Sequence, residues 1–175
     1  MTEDTARGVD AASVKALVPT PPERGTWHTI YRIDKYNDGR EPDGNPDEVL
    51  EGEGNLLTDL GVRDMLNLLA RNAGANFSTG VNAHVQAGSS NAPAVAADNV
   101  LTTPYAPRQV ATAVVTNQSV AFSASFAGGA ATGAWNEVGV FNSLAAGSML
   151  NHLVTPLGTK GATSVWVLTI TITIS

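Results

Sequence analysis

The chain contains no cysteine. That removes disulfides, thiolate metal sites and cysteine nucleophiles at once, and it leaves the redox compartment open. Charge is also scarce, with only 15% of the 175 residues ionised and ten of them basic, for a net charge of −6. A protein that grips a phosphate backbone needs clustered Lys and Arg, so the balance argues against nucleic acid as a partner. Long apolar runs are missing as well. No segment approaches the twenty residues of a membrane span, so no membrane partner is expected, and Met1-Thr2-Glu3-Asp4 is acidic where a secretory signal is basic. What remains is a globular composition, 43% hydrophobic, at a length that buries roughly 70% of the unfolded chain's surface in one domain.

The charge is unevenly placed. Most carboxylates lie between Glu3 and Glu53, whereas Gly74–Ser175 is rich in Ala, Gly, Thr, Val and Ser. A surface so poor in charge usually meets other protein. Residues 1–25 read as an N-terminal arm. An Asp10 N-cap can start a short helix through Val14, Leu17 and Val18, which Pro19, Pro21 and Pro22 end. Such an arm is either a tail without fixed structure or a segment that orders against a neighbouring subunit through those three apolar residues.

Residues 26–175 read as one mainly β domain, an antiparallel β-sandwich with a single helix. Trp27, Thr29, Ile30, Tyr31 and Ile33 predict a strand over 26–36, Asn37-Asp38-Gly39 a turn, and 48–53 the returning strand of a hairpin. The helix is predicted over 58–72. Leu57, Leu60, Val62, Met65, Leu66 and Leu69 supply its buried stripe, Thr58 its N-cap, Asp59 and Arg63 an i,i+4 pair and Gly74 its close. Beyond it the period changes to two. Ala83, Val85 and Ala87 alternate with Asn82, His84 and Gln86, and strands are predicted at 109–116, 119–126, 137–141, 148–154 and 164–174. In the last of these Trp166, Leu168, Ile170, Ile172 and Ile174 share one face. A charge-free strand of that length recruits other chains at an edge, so it belongs inside a sheet or at a subunit interface.

Catalytic and metal patterns are weak. His28, His84 and His152 fall in three predicted strands without ligand spacing, which reads as ordinary polar strand positions rather than a metal site. Asp34, Asp38, Asp43, Asp47 and Glu48 lack the EF-hand spacing and read as a solvated turn. Ser148 sits in no Gly-x-Ser-x-Gly, and Gly158-Thr159-Lys160-Gly161 lacks a P-loop's upstream glycine, which leaves Lys160 as a turn residue. Glu137 is the only acid between Leu101 and Ser175, too isolated for a glycosidase pair. It reads either as an outward strand position or as a partly buried carboxylate bonded to backbone amides or to an arginine such as Arg108. Trp27, Trp135 and Trp166 read as core or interface anchors rather than a sugar platform. No catalytic residue, cofactor or metal is expected.

In order along the chain, Glu53-Gly54-Asn55-Leu56-Leu57-Thr58-Asp59-Leu60-Gly61, Val85-Gln86-Ala87-Gly88, Asp98-Asn99-Val100-Leu101, the strand 120–126, Trp135-Asn136-Glu137-Val138-Gly139-Val140-Phe141-Asn142 and Gly147-Ser148-Met149-Leu150 resemble a family of tailed-bacteriophage virion proteins. The resemblance runs over 26–175. It departs from the family where a glycine- and threonine-rich stretch is replaced by Ser89-Ser90-Asn91-Ala92-Pro93. The family comprises tail-fibre, minor tail, head-fibre and capsid decoration proteins, so the resemblance implies a non-enzymatic β-sandwich of the virion. With no collagen-like or coiled-coil shaft in the chain, decoration is the expectation. Its partners would be the major capsid protein and its own copies, three in a closed ring that buries the final strand. Val14, Leu17, Val18, Trp135, Glu137, Trp166, Ile170, Ile172 and Ile174 are the structural or interface residues expected on this reading. The alternatives are a tail-tip adhesin presenting loops 89–97 and 128–133 to a host receptor, and a glycan-degrading enzyme on the same scaffold.

Overall fold

A computed structural model describes residues 26–71 and 76–175. The chain forms an antiparallel β-sandwich. Its strands are β1 (Trp27–Tyr36), β2 (Glu48–Glu53), β3 (Leu56–Leu57), β4 (His84–Gly88), β5 (Gln109–Val110), β6 (Thr112–Thr116), β7 (Ser119–Phe126), β8 (Gly133–Phe141), β9 (Met149–Lys160) and β10 (Val165–Ile174), and helix α1 (Asp59–Leu69) follows β3. One sheet has the order β2-β1-β10-β7-β6 and the other β3-β9-β8-β4-β5.

The hairpin β1–β2 turns where the sequence places it, with Asp38 and Gly39 at φ 54° and 73°. That is the left-handed region, which Asp tolerates and Gly enters without strain. On β1, Thr29, Tyr31 and Ile33 face inward while Arg32 faces out and bonds both Asp34 and Glu51. Strand β10 lies between β1 and β7 and is paired on both sides. Trp166, Leu168, Ile170 and Ile172 enter the core, and on the opposite face the Thr169 and Thr173 hydroxyls hydrogen-bond the serines of β7. The chain's own sheet therefore satisfies the backbone of this strand, and no ring of neighbours is required to cover it.

Several expectations change. The predicted strand 109–116 breaks at Ala111, so that β5 belongs to one sheet and β6 to the other. A strand that passes between layers in this way closes the side of a sandwich. Strand β4 is buried at all five positions rather than alternately, because the core takes Val85 and Ala87 while residues following β4 cover its other face. The helix runs from Asp59 to Leu69; Asn72 and Gly74 lie outside the described residues. Its fully buried positions are Gly61 and Asp64, not a leucine stripe.

Close approach to the sheet explains that substitution of faces. A Cβ on Gly61 would collide with the Leu150 carbonyl, so only glycine lets the helix lie this near β9. Thr58 accepts from the Gly61 amide at 3.0 Å and donates to the Met149 carbonyl, capping the helix and tying it down together. Asp64 accepts from Asn142 at 3.0 Å, whose own side-chain oxygen accepts from the Ser148 amide at 2.8 Å. Arg63 lies beside Asp64 rather than forming the expected pair with Asp59. Leu60 and Met65 are half-buried, whereas Leu66 and Leu69 are exposed among the described residues, Leu69 by 82%.

The core between the sheets centres on Trp135. Its ring meets Phe126 and Trp166 edge-on, with centroids 4.7 and 4.9 Å away, and its indole N–H donates to the Ala131 carbonyl at 2.7 Å. Edge-to-face packing of this kind stabilises beyond the area it buries. Lys160 is the last residue of β9, not a turn residue. It is fully buried and donates to the carbonyls of Ala127 at 2.9 Å and Ser164 at 2.6 Å, and burial pulls its pKa below the ordinary value.

Candidate functional site

A bulge in β8 creates a titratable cluster in which two buried groups, Glu137 and His152, meet a partly exposed third, Asp98. The register against β9 shifts between Trp135 and Glu137, so Trp135 and Val138 both face the core and Glu137 turns to the opposite side of the sheet. There it is 0% exposed. One carboxylate oxygen accepts from the amides of Thr103 at 2.7 Å and Ser90 at 3.3 Å, and the other from the amide of Thr102 at 2.9 Å. His152 stands beside it, with Nε2 3.1 Å from Glu137 and Nδ1 2.8 Å from Asp98. The Asp98 oxygen that meets the ring also accepts from the Val95 amide at 2.8 Å.

The three amide bonds to Glu137 and the contact between Asp98 and His152 fasten the segment 89–103 across the outer face of the β4–β8–β9 sheet. Asn136 donates to the Ser89 carbonyl at 2.9 Å, and the Ser89 amide donates to Thr103 at 2.9 Å. Leu101 packs on Phe141 and Met149 in a second small apolar cluster beneath the same segment. Gly88 makes the closure feasible, because a Cβ there would come within 2.5 Å of both the Glu137 carboxylate and the Thr103 carbonyl. A carboxylate that accepts several amide hydrogens can be fully buried without a metal or an arginine, since each charge-assisted bond offsets part of its desolvation.

The chemistry open to this arrangement follows from how the histidine is held. A neutral imidazole carries one N–H, so donation to both carboxylates requires the doubly protonated ring. Either way, both nitrogens face carboxylates and neither is left to take a proton from a nucleophile. The two acids lie on opposite edges of the ring and do not converge on a common point as metal ligands must. The geometry is that of a latch.

Asp98 makes the latch sensitive to acid. Burial acts to raise its pKa, but the Val95 amide and the His152 ring outweigh burial and hold it below the ordinary 3.8. A carboxyl depressed on folding contributes stability in full above its unfolded value and loses it as pH falls through the folded value. In urea titrations between pH 6 and pH 2.5, Asp98→Asn should be less stable than the parent at the upper end, and the gap should close below about pH 3.8. A gap independent of pH would show that Asp98 does not act through its charge.

Of the residues singled out from sequence, Trp135, Trp166, Ile170 and Ile172 come together in the core and Glu137 in the latch. Ile174 is 50% exposed at the open end of the sandwich, and Val14, Leu17 and Val18 lie outside the described residues. Arg108 does not reach Glu137. It lies over the Phe141 ring at 3.6 Å and donates to the carbonyls of Ser143 and Ala146. His152 is not the ordinary strand position expected for it, whereas His28 is exposed beside Glu53, and His84 is buried against the Asn82 carbonyl. The acids of the β1–β2 region engage arginines and a lysine: Asp43 and Asp47 meet Arg40, and Glu48 meets Lys35. The latch partners His152, Asp98, Thr102 and Thr103 escaped the sequence reading. A signal was present, since Asp98, Arg108, Glu137 and Lys160 are the only charged residues after Gly74, and a charge kept in so uncharged a region has a fixed partner.

Fold and site together define an antiparallel β-sandwich whose acid–imidazole–acid cluster, buried at Glu137 and His152, holds a covering loop. No family model matches the chain, and no curated protein or solved structure matches it.

Proposed function

We propose that the chain is a non-enzymatic structural protein of a tailed-phage virion: a capsid decoration protein, located on the capsid surface after assembly in the host cytoplasm, that binds the assembled lattice of major capsid protein and stabilises it. The observation that carries this reading is the engagement of both His152 nitrogens and all of Glu137 in holding the chain's own loop. With that cluster occupied, the molecule offers partners shape, backbone and apolar surface rather than reactive groups. The resemblance over 26–175 supports the same conclusion. A protein that binds only the assembled lattice stabilises it by linkage, in proportion to its occupancy.

Self-association into a trimer remains part of the proposal, but with a different contact from the final strand, which its own sheet covers. The edges differ in how they are protected. Strand β2 carries Glu48, Glu51 and Glu53, and β3 and β5 are two residues each. Strand β6, Thr-Ala-Val-Val-Thr, is uncharged, with Val115 75% exposed. Such an edge favours protein contact. No helix among the described residues is long and apolar enough to cross a membrane, and neither membrane nor nucleic acid enters the proposed partnership.

One observation favours a tail-tip adhesin as the second reading. A depression of about 550 Å³ beside His152 is lined by Asn55, Asn91 and Thr155, and both polar atoms of the Asn55 amide are buried without a partner among the described residues. Copy number separates the two. Densitometry of purified particles should show hundreds of copies for decoration, and particles lacking the protein should lose their genome at lower temperature. A handful of copies, with host adsorption blocked by the isolated protein, would establish the adhesin instead.

A further inference from the structure

Four charged residues follow Gly74, and the two acids among them, Asp98 and Glu137, are both turned to His152. Arg108 is left without an acid. It is 7% exposed, and no carboxylate stands within ion-pair distance of it among the described residues, so burial alone acts on its pKa and lowers it. Neutral acceptors offset only part of the cost of burying a full charge.

The way the guanidinium is held leaves one of its nitrogens open. Of its five N–H donors, the one on Nε goes to the Gln86 side-chain oxygen at 3.2 Å, and those on Nη1 go to the carbonyls of Ser143 at 2.8 Å and Ala146 at 3.0 Å. Gln86 is fixed in turn, since its amide nitrogen donates to the Tyr105 carbonyl at 3.0 Å. The Phe141 ring lies against the guanidinium, 3.6 Å away. The two donors on Nη2 have no acceptor among the described residues, and Nη2 is not sealed from solvent. A planar cation locked in this way loses little freedom when a ligand arrives.

Arg108 lines a depression of about 430 Å³ between the β8–β9 turn and the segment that leads into β5. That volume lies within the range of small-ligand sites. Val100, Pro104, Pro107 and Leu144 supply apolar walls, and Arg108 is the only charged side chain among the residues that line it. One cation matches one negative charge. Phosphate carries about two charges near neutral pH, more than a single guanidinium neutralises, whereas a carboxylate carries one and accepts well from a charged N–H. We infer that this depression binds a small monocarboxylate, which accepts from Nη2 of Arg108 and rests a short apolar body on Val100, Pro104, Pro107 and Leu144. The inference depends neither on the virion role nor on self-association.

Pentanoate, 1-pentanol and inorganic phosphate are the probes, each titrated into the full chain at neutral pH and followed by calorimetry and by the methyl resonances of Val100 and Leu144. Pentanoate should bind saturably, one per chain, and shift both sets of methyls. The alcohol should bind at least about tenfold more weakly, because it lacks the charge that strengthens the bond to Nη2. Arg108→Gln should abolish binding. Leu144 is 55% exposed, so a change there spares the fold: Leu144→Glu sets a carboxylate of the chain's own in the depression and should weaken pentanoate by about tenfold or more, with the unfolding midpoint retained. Absence of saturable binding up to about 10 mM pentanoate would overturn the inference, as would equal affinity for the alcohol or unchanged binding in Leu144→Glu. Tighter binding of phosphate would rule out the carboxylate. Tighter binding of a blocked peptide with one central glutamate would replace the small molecule with a partner protein's acidic side chain.

Discussion

Glu137→Ala should lower the free energy of unfolding by about 3–5 kcal/mol, the range for breaking a buried ionic network by removing one partner. Truncation leaves the amides of Ser90, Thr102 and Thr103 without their acceptor and exposes His152 to Asp98 alone. Each buried donor left unpaired costs about 1–3 kcal/mol, so the loss exceeds anything expected from the carbons removed. Glu137→Gln keeps one carbonyl oxygen but turns the other oxygen into a donor facing either an amide or the ring, and it should cost about half as much. Urea denaturation measures the total. Hydrogen exchange locates it, since the amides of Thr102 and Thr103 should lose protection before the strands of the core do. A change of less than about 1 kcal/mol, with those amides still protected, would mean that the segment 89–103 is held by Leu101 and its own turns instead.

Trp135→Ala should be comparably damaging, at about 3–5 kcal/mol, as for other buried aromatic truncations. The ring is fully buried where the two sheets face each other and touches Phe126 and Trp166. Its removal opens a cavity between strands that are paired on both sides and cannot collapse into it. Trp135→Phe separates packing from hydrogen bonding. It retains an edge-to-face partner for Trp166 but leaves the Ala131 carbonyl without its donor, and a loss of about 1–3 kcal/mol is expected. Thermal unfolding followed by tryptophan fluorescence reports both variants. If alanine and phenylalanine proved equal, the hydrogen bond rather than the volume would be the larger contribution.

Local pattern carried the fold a long way. Alternation in Trp166–Ile174, the Asn-Asp-Gly turn after β1 and the Thr58 cap are short-range features, and each depends on side chains within a few residues of one another. The helix face departs from its leucine periodicity, which marks apolar positions but not close approach. What holds α1 to the sheet is the lack of a side chain at Gly61 and two polar anchors, Thr58 and Asp64, whose partners are about ninety residues and seventy-eight residues away. Nothing in the composition of 109–116 marks Ala111 as the point of passage between layers.

The latch lay further still from local reading. Asp98, Glu137 and His152 belong to a loop and two strands, and the bonds between them span 15 and 54 residues. A bulge that displaces the alternation by one residue turned Glu137 from the core side to the loop side. The linear chain fixes composition, turn chemistry and the faces of isolated strands, because these depend on neighbours in sequence and on the intrinsic geometry of the backbone. Which strand is central, which edge is left bare, and which lone charges find each other follow from sheet order and bulge position, because those are settled by competition among distant segments for the same backbone partners and the same buried volume.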